Sequence, residues 1–175
     1  METNTAEKAT KGSDVTVLSA ETVLKHWQGH RALTRKVIEA FPEDKLFNYS
    51  IGGMRPFSEL AMEMVHMAAP GMQGIVSGKW QNFGEASESE EIKEPKTKAE
   101  LLALWDKVTE KINRLWPQIS SERFQEVDVA FGQYEGPIHW TLFYFIDNEI
   151  HHRGQGYVYL RSLGIEPPAF WDREG

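Results

Sequence analysis

The stretch Asp147-Asn148-Glu149-Ile150-His151-His152-Arg153-Gly154-Gln155 decides how this chain is read. It lies midway along a segment that opens at Gly136-Pro137, runs through the apolar residues Ile138 to Ile146 and stops at Gly164, with Pro167-Pro168 barring resumption. Proline at the entry and glycine at the exit are the ordinary ends of a helix, so the segment predicts one long last helix. On a helix, residues three and four apart share a face. Asn148, His152, Gln155 and Tyr159 therefore line one edge, and Asp147 and His151 the adjacent one. Gly154 and Gly156 each cost about 1 kcal/mol relative to alanine inside a helix, and polar groups buried without partners cost more. The combination predicts close approach of a neighbouring helix or a ligand, with a metal ion or polar substrate as the natural partner.

Three further helices follow from the pattern outside this stretch. The first starts at Ser19, a good N-cap, and runs to about Ala40, with Leu24, Trp27, Thr34, Ile38 and Phe41 forming its apolar stripe. After the Gly52-Gly53 loop, Pro56 opens a second helix over Phe57 to Ser77, whose inner face carries Leu60, Met64, Met67 and Ala68. Thr97 and Glu100 have the spacing of a capping box and open a third helix, which Pro117 closes. Between the second and third lies a polar loop, Gly84 to Lys98, rich in glutamate and read as solvated. Val127 and Val129 alternate with polar neighbours and predict a short extended piece. Four long helices without a convincing strand point to an all-α bundle. Residues 1–17 read as a disordered polar leader and 18–175 as the bundle domain.

Composition removes several classes of function. The 175 residues make one domain, and with no cysteine there is no disulfide, thiolate metal site or cysteine nucleophile. That absence fits a reducing compartment. The polar start shows no secretory signal and the longest apolar run is too short for a membrane span, so a cytoplasmic location is expected. A net charge of −7 without a basic cluster argues against nucleic acid.

The segment Asn148 to Gln155 resembles the last-helix signature of the DinB/YfiT-like superfamily, bacterial four-helix bundles; the likeness extends over about Leu18 to Trp171. It implies an up-down-down-up bundle with a long loop between helices two and three, and homodimers paired through helices. It also implies a divalent metal, nickel or zinc, held by three histidines. By position the second-helix ligand is His66 and the final ligand His152. The remaining ligand falls at Asn148, a poorer donor for these metals than imidazole, with Glu149 the nearest substitute. His151, Asp147, Arg153 and Gln155 are then the groups that orient the ligands or neutralise charge.

Three functions remain open on these residues. The first is a metal-dependent enzyme on a small molecule, either a hydrolase or a transferase of a low-molecular-weight thiol, which must come from a cosubstrate in a cysteine-free chain. The second is a non-catalytic binding or stress-response protein with a degenerate metal site. The third is a ferritin-like di-metal protein, because Glu63-x-x-His66 and Glu149-x-x-His152 are Glu-x-x-His pairs on two helices. That class needs an inward glutamate on each other helix, for which Glu21, Glu39, Glu100 and Glu110 are the choices. His26 and His30 read as structural, with His30 inward. Trp80, Trp140, Tyr144 and Trp171 read either as pocket walls or as core.

Overall fold

The structure, a computed structural model, describes residues 17–81 and 92–174. Nearly all of the expected leader, and Glu85, Glu88, Glu90 and Glu91 of the acidic loop, lie outside the described residues. The chain is mostly helical: α1 is Ala20–Ala40, α2 Glu43–Asn48, α3 Phe57–Ser77, α4 Lys98–Leu115 and α5 Ile138–Ser162. A two-stranded antiparallel hairpin, β1 (Val127–Ala130) and β2 (Tyr134–Pro137), precedes α5.

Each helix end has a local cause. Ser19 Oγ accepts from the Thr22 amide at 3.1 Å, and Thr97 and Glu100 form the reciprocal capping box at the start of α4. Gly78 ends α3 in the left-handed conformation, at φ 67°. No side chain caps α5. Its Ile138 amide donates to the Glu126 carbonyl at 3.0 Å, so the hairpin base satisfies an otherwise orphaned donor. The short α2 was not foreseen: Pro42 precedes it, and Glu43 and Asp44 sit favourably in its first turn.

The four long helices pack as a ring of neighbours, with α1 and α3 each lying against both α4 and α5. Trp27, Phe57, Met72, Leu101 and Trp105 are among the fully enclosed side chains. The two glycines of α5 do different things. A Cβ on Gly156 would meet the Phe57 ring at 2.5 Å, so glycine is what lets α3 seat that ring. Nothing lies within 4 Å of a Cβ on Gly154, which faces away from the bundle. Among the described residues no helix is long and apolar enough to cross a membrane.

Candidate functional site

Two polar centres adjoin on the inner side of α5. The first joins α3, α5 and the loop before α3. Glu63 Oε1 lies 2.9 Å from His152 Nε2 and 3.4 Å from Asn148 Nδ2, which donates to it. Arg55 donates to the other Glu63 oxygen. Gln155 Oε1 sits 2.7 Å from His152 Nδ1, and Gln155 Nε2 approaches the Met54 sulfur at 3.5 Å. Asn148 Oδ1 is buried and has no hydrogen-bond partner among the described residues. His152 is 8% exposed and Glu63 28%, so the centre opens outward through Glu63 and Arg55. Its loop is pinned: Tyr159 OH donates to the Arg55 carbonyl at 2.7 Å, and Ser50 Oγ to the Met54 carbonyl at 2.5 Å.

Burial alone would raise the Glu63 pKa, but hydrogen bonds from Arg55 and His152, with their charge, hold it down at about 2. Glu63 is thus an anion at any ordinary pH. His152 meets an acceptor oxygen at each ring nitrogen. An imidazole so placed must give a proton to both, or give one and turn its other lone pair on a cation.

The second centre is deeper and lies between α1 and α5. Glu149, 2% exposed, accepts from Trp27 Nε1 at 3.2 Å and from Thr34 Oγ1 at 2.8 Å, with Arg31 Nη1 3.7 Å away. Arg31 lies over the Trp105 ring at 3.4 Å and donates to the Trp105 carbonyl. Burial lowers its pKa to about 10 against the opposing pull of Glu149. Arg153 donates to the Thr34 hydroxyl at 3.2 Å and to His30 Nδ1 at 2.9 Å. This centre holds the two helices together, and no sequence motif announced its α1 half.

These positions correct several expectations. His66 is not what α3 brings to His152: its side chain is exposed, with Nε2 3.9 Å from Glu94. One turn earlier, Glu63 occupies the edge of α3 that meets α5. Glu149 does not substitute for a ligand, because it points at α1 and is consumed there. Arg153 likewise serves α1. Asp147 and His151 are exposed, though the His151 ring stands edge-on to that of His152 with centroids 5.0 Å apart, and Gln155 contacts a ring nitrogen of His152. Glu21, Glu39, Glu100 and Glu110 are all exposed, so the inward glutamates of a di-metal bundle are missing. Trp140, Tyr144 and Trp171 are exposed rather than core or pocket wall.

The three-histidine set therefore does not fit this chain. Among the described residues no group of three or more histidine, aspartate and glutamate side chains is placed to hold an ion. The donors that do converge are one carboxylate, one imidazole and one amide: Glu63, His152 and Asn148.

His30 supplies a pH dependence. It is 2% exposed; burial, then Arg153, Arg173 and His26, hold its pKa down at about 3. The unfolded chain binds that proton from about pH 6.5 downward and the folded one does not. Stability is therefore full above about pH 6.5 and lost as the pH falls toward 3, with a slope of at most about 1.4 kcal/mol per unit. Urea midpoints of His30→Gln should fall less between pH 7 and pH 5 than those of the wild type; parallel curves would refute the assignment.

The comparisons with known proteins agree with this architecture. The family model described as the DinB family matches residues 7–173, beginning inside the segment read as a leader. A DinB-like protein from Bacillus cereus ATCC 10987 superimposes with a TM-score of 0.63 at 20% identity, over 85% of this chain and 95% of that one. A DinB-like protein from Bacillus subtilis gives 0.65 at 21% identity, over 85% and 96%. No curated protein matches the chain. A bundle of this shape, with a polar centre between its second and last long helices and a family match over nearly its whole length, leaves one assignment: the chain belongs to the DinB family.

Proposed function

We propose that Glu63, Asn148 and His152 take a divalent cation, and that the protein is a metal-dependent enzyme on a small molecule, a hydrolase or a transferase of a low-molecular-weight thiol. The supporting observation is the pair of acceptor oxygens at His152 beside the unpartnered Asn148 Oδ1. A carboxylate and an amide oxygen beside one imidazole favour manganese or iron(II) over the nickel or zinc of a three-histidine site. Such an ion, when bound, makes a coordinated water or thiol acidic enough to be a nucleophile near neutral pH. Gln155 holds the His152 ring in orientation through Nδ1. Arg55 keeps Glu63 ionised and offers a half-exposed guanidinium at the mouth, suited to an anionic group of the substrate. We also propose a cytoplasmic location, supported by the cysteine-free composition, and an up-down-down-up course for the long helices.

A second reading is favoured by one contact. Arg55 already neutralises Glu63, as a lost ion would otherwise have to, which suits a non-catalytic binding or stress-response protein. Elemental analysis of untagged protein after dialysis against manganese separates the two. The enzyme reading expects close to one ion per chain, lost in Glu63→Gln and in His152→Ala but kept in His66→Ala. A wild type that retains none establishes the second reading.

A further inference from the structure

A chain without cysteine leaves its methionines as the side chains that a peroxide oxidises most readily. Met62, Met64, Met67 and Met72 are buried on α3, none more than 5% exposed. Met54 is different. It is partly exposed, in the loop before α3, and the fold fixes where it stands. Its amide donates to the Ile51 carbonyl at 3.0 Å, its carbonyl accepts from Ser50 Oγ at 2.5 Å, and Tyr159 pins the next carbonyl, that of Arg55. The sulfur is thereby set 3.5 Å from Gln155 Nε2, which donates to it. A thioether is a weak acceptor, so this is the softest contact in the centre. The other end of the same amide, Oε1, accepts from His152 Nδ1 at 2.7 Å. Met54, Gln155 and His152 therefore form one relay from the surface to the imidazole.

We propose that Met54 is an oxidation site through which hydrogen peroxide releases His152. The thioether sulfur attacks one peroxide oxygen, the O–O bond breaks, and the second oxygen leaves as water carrying both protons. Sulfur is oxidised to the sulfoxide and the peroxide is reduced. The seat fits a bare sulfur. With 3.5 Å between Sδ and Nε2, no third atom enters the contact unless the two part. The backbone at Met54 is tied on both sides, so the Gln155 side chain gives way and its hold on His152 Nδ1 is lost. A sulfoxide that swings out to water takes the acceptor away from Nε2, and Gln155 is freed all the same. The imidazole then keeps only the Glu63 oxygen, 2.9 Å from Nε2, and turns about that contact. Enzymatic reduction of the sulfoxide reverses the change. This regulation acts on the centre of the proposed function and rests on that reading only for what the centre binds; the relay itself belongs to the chain without an ion.

Peptide mapping by mass spectrometry, on the full chain treated with dilute hydrogen peroxide at neutral pH, measures the first step. Met54 should gain one oxygen atom roughly tenfold faster than Met62, Met64, Met67 or Met72, because susceptibility follows exposure. The nitrogen NMR spectrum of the histidine side chains, assigned with His152→Gln, measures the second. Once Met54 is oxidised the His152 ring nitrogens should shift, and the shift should be absent in Met54→Leu, which conserves the volume. Both measurements are made on metal-free protein, so a chain that never takes a cation still tests the relay. Equal oxidation of Met54 and the α3 methionines overturns the proposal, as does a His152 signal that peroxide leaves unchanged or moves equally in Met54→Leu.

Discussion

Glu149→Leu should be the most damaging single substitution in the chain, lowering stability by about 3–5 kcal/mol, enough to unfold a protein of ordinary stability in part at 37 °C. Glu149 is the carboxylate of a cluster in which Arg31 is 1% and Arg153 6% exposed. Two guanidiniums and one carboxylate already leave the cluster one positive charge in excess. Removing the anion strands both cations and leaves the Trp27 Nε1 donor without its acceptor, while the Thr34 hydroxyl turns to the His30 carbonyl, 3.0 Å away. Arg31 Nη1 has no hydrogen-bond partner even in the intact protein, so it has nothing to fall back on. Urea denaturation measures the effect. Glu149→Gln should fall between, since an amide keeps one acceptor, for Trp27 or Thr34, while losing the charge and the second acceptor oxygen. A loss below about 1 kcal/mol for the leucine variant would mean that the cluster is hydrated and the helices are held otherwise.

Trp27→Ala should follow closely, at about 3–5 kcal/mol. The indole is wholly enclosed, with ring centroids 6.2 Å from those of both Trp116 and Phe145. Truncation opens a large cavity and also deprives Glu149 of a donor. Trp27→Phe separates the two losses: it keeps much of the volume and should cost about 1–2 kcal/mol, chiefly for the missing N–H. Because Trp27 and Glu149 touch, the double variant should be less destabilised than the sum of the singles. Strict additivity would show that the 3.2 Å contact contributes nothing.

How far these features were legible depends on which signals are local. The ends of α1, α3, α4 and α5 are written in Ser19, Pro56, Thr97 with Glu100, and Pro137, each acting within one turn of itself. The α5 polar stretch could be recognised as a centre because polarity and glycine inside an apolar helix carry a cost that demands a reason. Which residues it meets could not be read the same way. Glu63 and His66 differ by three positions, less than one turn, and only the rotation of α3 about its axis against α5 decides which faces His152. That rotation is set by packing, including Phe57 seated over Gly156, and leaves no mark in the spacing of histidines. The same holds for Glu149: its partners Trp27, Arg31 and Thr34 lie more than a hundred residues earlier, and on sequence alone a buried acid beside a candidate ligand looks like a ligand. The hairpin was half visible, as alternation at Val127 and Val129; its return strand, Tyr134-Glu135-Gly136-Pro137, has no alternating pattern to announce it.

One helix carries obligations all the way around its circumference. α5 faces α1 with Glu149 and Arg153, α3 with His152 and Gly156, the loop with Tyr159, and the outside with the apolar side chains Trp140, Phe143, Tyr144 and Val158, whereas α4 leaves Glu110 and Arg114 exposed on its outer side. Substitution is therefore cheap on the outer side of α4 and costly almost all the way around α5, so divergence should accumulate on the one and spare the other.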